Sequence, residues 1–118
     1  MRRNMLKSKI HRVRVTEACL DYEGSITVDS NLMQSADLLE YERVDVYNIS
    51  TGERFSTYVI SGEASSGTIC LNGAAARKVS VNDLIIICSY VDIENSDCKN
   101  HKPCVVLVDE NNKIVKVT

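Results

Sequence analysis

Apolar and polar residues in this chain alternate with a period of two in one short run after another, and that pattern limits its fold more than any other feature. HRVRVTE (residues 11–17), RVDVYNI (43–49) and ERFSTYVI (53–60) all show it, and TICLN (68–72), LIIICSYV (84–91), CVVLV (104–108) and KIVKV (113–117) add further extended segments. In the first run Val13 and Val15 share one face while Arg12, Arg14 and Thr16 take the other, which describes a half-buried strand and excludes an amphipathic helix. Only one helix is expected: Asp29 or Ser30 can cap a turn whose apolar stripe is Leu32, Ala36 and Leu39, with Met33 beside it. Seven or so strands against one helix leave many unpaired edges unless the sheet closes on itself. The expectation is therefore an all-β, closed or nearly closed small barrel.

The punctuation agrees. Ser50-Thr51-Gly52 joins two alternating runs as a hairpin, DENN (109–112) joins the last two, and Asn82-Asp83 forms a turn in which Asn82 can take the left-handed region at modest cost. Five Tyr, one Phe and no Trp leave the core to Val, Ile and Leu, as suits strands.

A chain of 118 residues is expected to form one domain, residues 1–118. No apolar run approaches the roughly 20 residues needed to span a bilayer, so no membrane partner is expected. MRRNMLKSKIHRVRV lacks the apolar core of a secretory signal, which makes the cytoplasm the expected compartment. Five cysteines, an odd number at irregular spacing, fit free thiols better than a disulfide framework. Within CKNHKPC, Cys98, His101 and Cys104 offer three soft ligands, but a zinc site generally needs a fourth and prefers other spacings; a polar loop and no metal are expected. The net charge of −2 gives no reason to invoke nucleic acid. Arg2, Arg3, Lys7, Lys9, Arg12 and Arg14 nevertheless all precede the first acidic residue, Glu17, and on a strand they read as an anion site or a solvated face.

Gly24-Ser25, alone, is a turn signal. Its company changes that reading. KIHRV (9–13), YEGS (22–25), TGERFSTYVI (51–60) and NGAAAR (72–77), in this order and spacing, resemble the aspartate 1-decarboxylases, the pyruvoyl-dependent enzymes that make β-alanine for pantothenate and coenzyme A. The resemblance runs from Met5 to about Val91; where the family usually has Gly-Asp, this chain has Asn82-Asp83.

The resemblance implies a six- to seven-stranded double-psi β-barrel with one or two short helices, assembled as a homotetramer with sites at subunit interfaces. It implies a proenzyme that cuts itself between Gly24 and Ser25 into a β chain, 1–24, and an α chain, 25–118. Ser25 Oγ attacks the Gly24 carbonyl, the amide becomes an ester, and elimination and hydrolysis leave a pyruvoyl group where Ser25 stood. Only Ser, Thr or Cys carries a nucleophile placed for that shift, and a preceding Gly minimises crowding. Thr57 is the implied hydroxyl donor to the oxyanion. The keto group then takes the amine of L-aspartate and acts as electron sink for loss of carbon dioxide. Tyr58 is implied as proton donor, a role that suits a phenol because its ordinary pKa of about 10 keeps it protonated at neutral pH. Without the resemblance Tyr58 reads as a half-buried strand aromatic.

A diacid substrate needs cations. Arg54 can grip a carboxylate bidentately, Lys9 can approach as a point charge, and His11, two residues from Lys9 on the same face, can assist. Which cation takes which carboxylate is open. Asn72, Gly73, Ala74 and Ala75 offer small side chains and main-chain N–H groups for close approach, though Asn72-Gly73 alone reads as a turn. In a regular strand Arg54 and Tyr58 share a face while Thr57 points to the other, so either the strand is distorted or the site lies between subunits; the family's assembly favours the second. Two rival readings stand beside this one. A non-catalytic barrel could hold an acidic partner on its basic strand, and a pyruvoyl decarboxylase could act on another amino acid such as histidine or arginine.

Overall fold

Strands β1 (Arg2–Arg14) and β2 (Glu17–Cys19) are two stretches of nearly continuous extended chain, and this continuity closes the sheet. The computed structural model describes all residues, 1–118. After β2 come β3 (Ser25–Asp29), α1 (Ser30–Ser35), β4 (Arg43–Asn48), β5 (Arg54–Gly62), β6 (Ile69–Asn72) and a 3₁₀ helix, Gly73–Lys78. The chain ends with β7 (Leu84–Glu94), α2 (Asn95–Cys98), β8 (Cys104–Val108) and β9 (Ile114–Val117). The strand order is β2-β6-β3-β5-β4-β7-β1-β8-β9. Because β1 runs on into β2, the first and seventh positions of that order are one segment. The ring β1/β2-β6-β3-β5-β4-β7 is therefore a six-stranded barrel, with β8 and β9 appended outside along β1.

Strand accounts for 51% of the residues and the α-helices are short, so the chain is all-β, as the alternation predicts. Two neighbouring pairs within the barrel, β3/β5 and β2/β6, are parallel. Parallel neighbours cannot be joined by a tight turn, so the chain must cross over the barrel ends. Such crossovers are what a double-psi barrel requires. Closure removes the exposed edges that a flat sheet of this size would present.

The core is aliphatic. Ile10, Val13, Val15, Ile26, Val28, Val44, Val46, Val59, Ile69, Leu71, Ile85 and Ile87 are buried from all parts of the ring. Alternation holds where it was read: in β4, Val44 and Val46 face inward while Asp45 and Tyr47 face outward. The hairpin at 50–52 forms with Gly52 at φ +83°, and Asn82 takes φ +79° as anticipated. Asp83 accepts from Ser80 N and from Asn48 Nδ2, which fixes that turn.

Two expectations change in detail. The helix begins at its Asp29 cap and buries Leu32 and Met33, and Ala36 follows at its end, but the helix stops at Ser35 and Asp37 turns left-handed at φ +55°. Leu38 is buried in its place, and Leu39, expected in the stripe, is 73% exposed. The basic cluster lies along a strand far longer than HRVRVTE suggests, with irregular register at Leu6/Ser8 and Ile10/Val13; the second places Arg12 at φ +65°. No helix is long and apolar enough to cross a membrane.

Candidate functional site

Ser25 is the first residue of β3 and is fully buried, whereas Gly24 before it ends an exposed loop. The bond between them thus sits where solvent-facing chain enters the barrel wall. On one side, Ser25 pairs with Asn72 of β6, and Asn72 Nδ2 donates to Ser25 Oγ at 3.0 Å and to Thr27 Oγ1 at 3.1 Å. On the other, β3 runs parallel to β5 with Ile26 opposite Val59. Continuing that register backwards sets Ser25 level with Tyr58 and Gly24 level with Thr57.

Gly73 begins the 3₁₀ helix at φ +64°, a region only glycine enters freely. A Cβ built there would lie 2.8 Å from Gly24 Cα and 2.8 Å from Gly24 N, so the turn after Asn72 packs its bare backbone on the Gly24 backbone. Gly24 itself has no such need, since a Cβ at that position meets nothing within 4 Å. The same 3₁₀ turn brings Ala74 and Ala75 over a cavity of about 390 Å³ that Gly24, Thr57, Tyr58 and Lys78 also line. The structure therefore gathers Gly24, Ser25, Thr57, Tyr58, Asn72, Gly73, Ala74 and Ala75 into one locality.

Sequence reasoning missed two features of this locality: Lys78 at the cavity, held to Glu53 at 3.1 Å, and Cys70 behind Asn72. The spacing NGAAARK, about two turns of 3₁₀ helix from Gly73 to Lys78, was the available signal for the first.

Tyr58 is 37% exposed and its ring tilts against Tyr41 at 6.5 Å between centroids. β5 keeps its alternation, with Arg54, Ser56 and Tyr58 exposed and Phe55, Thr57 and Val59 turned the other way. Strand distortion therefore does not bring Arg54 and Thr57 to one face.

Arg54, Lys9 and His11 lie away from this cavity within the protomer. Arg54 stacks its guanidinium 3.9 Å from the centre of the Tyr47 ring, and Tyr47 Oη lies 2.7 Å from Tyr90 Oη. That shared hydrogen bond, with burial behind it, raises the Tyr90 pKa. Arg54 stands four residues before Tyr58, roughly 13 Å along β5, and does not line the cavity although its neighbours Phe55 and Ser56 do. Lys9 is in register with Cys88, Cys88 with Asp45, and Asp45 with Ser56, which puts Lys9 three strands, about 14 Å, from β5. Burial pushes the Cys88 thiol up, against the opposing pull of the nearby Lys9 and Arg54 charges. Those two cations thus border one region of the outer wall, and neither is paired with a carboxylate, unlike Lys7 with Glu42 and Lys78 with Glu53.

His11 faces a third place, a cavity of about 530 Å³ with Arg12, Arg14, Asp109 and Glu110 at its rim. Its Nδ1 is buried without a partner, and desolvation together with Lys9 and Arg12 lowers its pKa. Cys98, His101 and Cys104 turn to three separate carbonyls, those of Glu94, Leu6 and Ser35, and all five cysteines are unpaired.

The aspartate decarboxylase family profile matches residues 1–115. This chain belongs to the aspartate decarboxylase family. It is 58% identical over 117 residues to the aspartate 1-decarboxylase of Thermoanaerobacter pseudethanolicus, covering 99% of this chain and 100% of that protein. The aspartate 1-decarboxylase of Syntrophus aciditrophicus is 59% identical over 114 residues, 97% of this chain and 98% of that protein. That of Caldicellulosiruptor saccharolyticus is 60% identical over 114 residues, 97% and 89% respectively. Similarity across nearly the whole length places every motif quoted above inside the family match.

Proposed function

We propose that this protein is a self-processing aspartate 1-decarboxylase that converts L-aspartate to β-alanine and carbon dioxide for pantothenate biosynthesis. The observation that carries the reading is the Gly24-Ser25 junction. A buried serine hydroxyl held by an amide donor directly follows an exposed glycine, and that glycine is braced by a bare glycine backbone from behind. A turn needs none of these features.

Self-cleavage follows from those groups. Ser25 Oγ adds to the Gly24 carbonyl carbon, the C–N bond breaks as the C–O ester bond forms, and the nitrogen keeps the departing proton. Thr57, level with Gly24, is the hydroxyl that stabilises the oxyanion. Loss of the Ser25 α-proton then expels the Gly24 carboxylate, and water releases ammonia to leave the keto group. The surroundings fit such a group: Asn72 Nδ2 is a donor already aimed at the position, and small residues, Ala74 and Ala75 among them, line one part of the adjoining cavity. The pyruvoyl unit supplies an electron sink that no ordinary side chain provides.

The remaining work falls to side chains. Tyr58 delivers the proton after carbon dioxide leaves, and Arg54 and Lys9, with His11 assisting, hold the two carboxylates. Asn72, Gly73, Ala74 and Ala75 let the substrate approach the main chain. The separation of Lys9 and Arg54 from the cavity within one protomer supports a site completed by a second copy, in a homotetramer. Five unpaired cysteines support a reducing, cytoplasmic setting.

Intact mass under denaturing conditions tests the first half: fragments 1–24 and 25–118 are expected, the second with a blocked amino end. Carbon dioxide release from L-aspartate, compared with histidine and arginine, tests the second. An uncut chain that still decarboxylates aspartate would refute the pyruvoyl mechanism, and a cut chain that prefers another amino acid would refute the substrate.

A further inference from the structure

Ile69 and Leu71 of β6 point into the core and are fully buried, so alternation turns Cys70 and Asn72 to the opposite face. Antiparallel pairing with β3 sets Asn72 beside Ser25 and Cys70 beside Thr27. These four side chains form a block of two by two, and hydrogen bonds join them. Cys70 Sγ donates to Asn72 Oδ1 at 3.2 Å, while Asn72 Nδ2 donates to Ser25 Oγ at 3.0 Å and to Thr27 Oγ1 at 3.1 Å.

An asparagine amide has an accepting end and a donating end, and its neighbours decide which way it faces. Serine and threonine hydroxyls either give or accept, so Ser25 and Thr27 do not choose. A thiol is a weak donor and a weak acceptor, but the S–H placed on Oδ1 favours one orientation of the amide. Burial, and then Glu17, its register partner on β2 and a second acceptor beside the thiol, push the thiol up to about 11, which keeps it in the donating S–H form at neutral pH. With Oδ1 drawn to Cys70, the amide N–H groups face the two hydroxyls. Ser25 Oγ then accepts, which holds its rotamer and leaves its own proton free to depart on attack. In the reversed amide, Ser25 would donate to Oδ1, and its proton and its orientation would both be tied to the wrong partner.

We infer that Cys70 is a positioning residue for self-cleavage, acting through Asn72 to hold Ser25 Oγ in its nucleophilic orientation. The inference rests on the self-cleavage reading above and adds to it a residue that touches neither the scissile bond nor substrate.

The test is a time course of cleavage after cell-free synthesis, read by denaturing intact mass, for wild type, Cys70→Ser, Cys70→Val and Cys70→Ala. Melting temperatures of the same variants are taken in a Ser25→Ala background, where no cleavage intervenes. Serine restores a donor at this position, though one that can also accept; valine fills the space without one and suits a strand, so it carries the comparison if alanine destabilises the barrel. Cleavage in Cys70→Val and Cys70→Ala should slow by about 3- to 10-fold, the worth of one hydrogen bond, and Cys70→Ser, which can give or accept, should fall between these two and wild type.

Cleavage in Cys70→Val at the wild-type rate would overturn the inference. So would Cys70→Ser as slow as Cys70→Val, because that pattern follows lost packing and not a lost donor. In both cases the processing wild type leaves the self-cleavage reading standing. A wild type that never cuts refutes that reading and the role of Cys70 with it.

Discussion

Gly24 and Gly73 sit on the two sides of one backbone contact, and the structure assigns them opposite sensitivities. Gly73→Ala must place a Cβ at φ +64°, which costs about 1–2 kcal/mol for an L-residue. It must also relieve contacts of 2.8 Å to Gly24 Cα, 2.8 Å to Gly24 N and 2.9 Å to Tyr22 O, all backbone atoms. Overpacking of this kind costs about 1–3 kcal/mol, for a total of about 2–5 kcal/mol. At about 4 °C per kcal/mol for a domain of this size, the melting temperature should fall by about 8–20 °C. Gly24→Ala meets open space and has no left-handed φ, so it should hold or raise stability, by up to about 1 kcal/mol through the unfolded chain.

Both are measured by urea unfolding in a Ser25→Ala background, which keeps every chain intact. Cleavage is then followed in chains that retain Ser25. Gly73→Ala should cut slowly, since relief of its contacts moves the Gly24 backbone away from Ser25 Oγ. Equal stability of the two variants, or a wild-type cleavage rate in Gly73→Ala, would refute the claim that the 3₁₀ turn braces the scissile bond.

The other expectations are narrower. Ser25→Ala should abolish cleavage and activity while costing only about 0.5–1.5 kcal/mol of stability, because Asn72 keeps Thr27 as a partner; unfolding curves and intact mass check both. Processed Tyr58→Phe should lose about 10²- to 10⁴-fold in kcat, the usual contribution of a general acid, and a normal kcat would remove Tyr58 from the chemical step. Arg54→Ala should raise KM for L-aspartate with a much smaller effect on kcat, and an unchanged KM would return Arg54 to its stacking role on Tyr47. Desolvation, Lys9 and Arg12 hold the folded-state pKa of His11 below its ordinary 6.5, so the unfolded chain binds the extra proton. The His11 contribution is therefore complete above pH 6.5 and is lost as pH falls towards the folded value. Urea unfolding of wild type and His11→Gln should differ most on that acid side, and parallel pH profiles would refute the assignment.

Features set by nearest neighbours were legible in the sequence. The alternation of Val44 and Val46 against Asp45 and Tyr47, the hairpin at Gly52 and the left-handed Asn82 need no knowledge of the rest of the chain. Features set by distant partners were not. The helix stripe was carried one turn too far because Leu38, not Leu39, is buried after the left-handed turn at Asp37, and that choice is made where the chain leads into β4. The reach of β1 back to Arg2 depends on pairing with β7, whose residues lie more than 80 positions away. Cys70 gave no local signal, because its meaning comes from Asn72 facing Ser25 across a strand pair.

The same distinction bears on how the site divides its labour. Ser25, Thr57, Asn72 and Gly73 lie on β3, β5, β6 and the turn that follows, neighbours in one wall of one barrel, and Gly24 immediately precedes β3. Nothing in that set requires a second chain, so the proposed cleavage is a property of the folded protomer. Lys9 lies across β7 and β4 from that wall, and Arg54 at the far end of β5 is turned toward Tyr47. Neither residue lines the cavity beside Gly24 of its own protomer, and the Arg54 guanidinium is engaged on the Tyr47 ring. Cations left without carboxylate partners on an outer wall are available to a neighbouring copy. Under this reading the protomer makes its own catalytic group, and assembly supplies the charges that select a diacid.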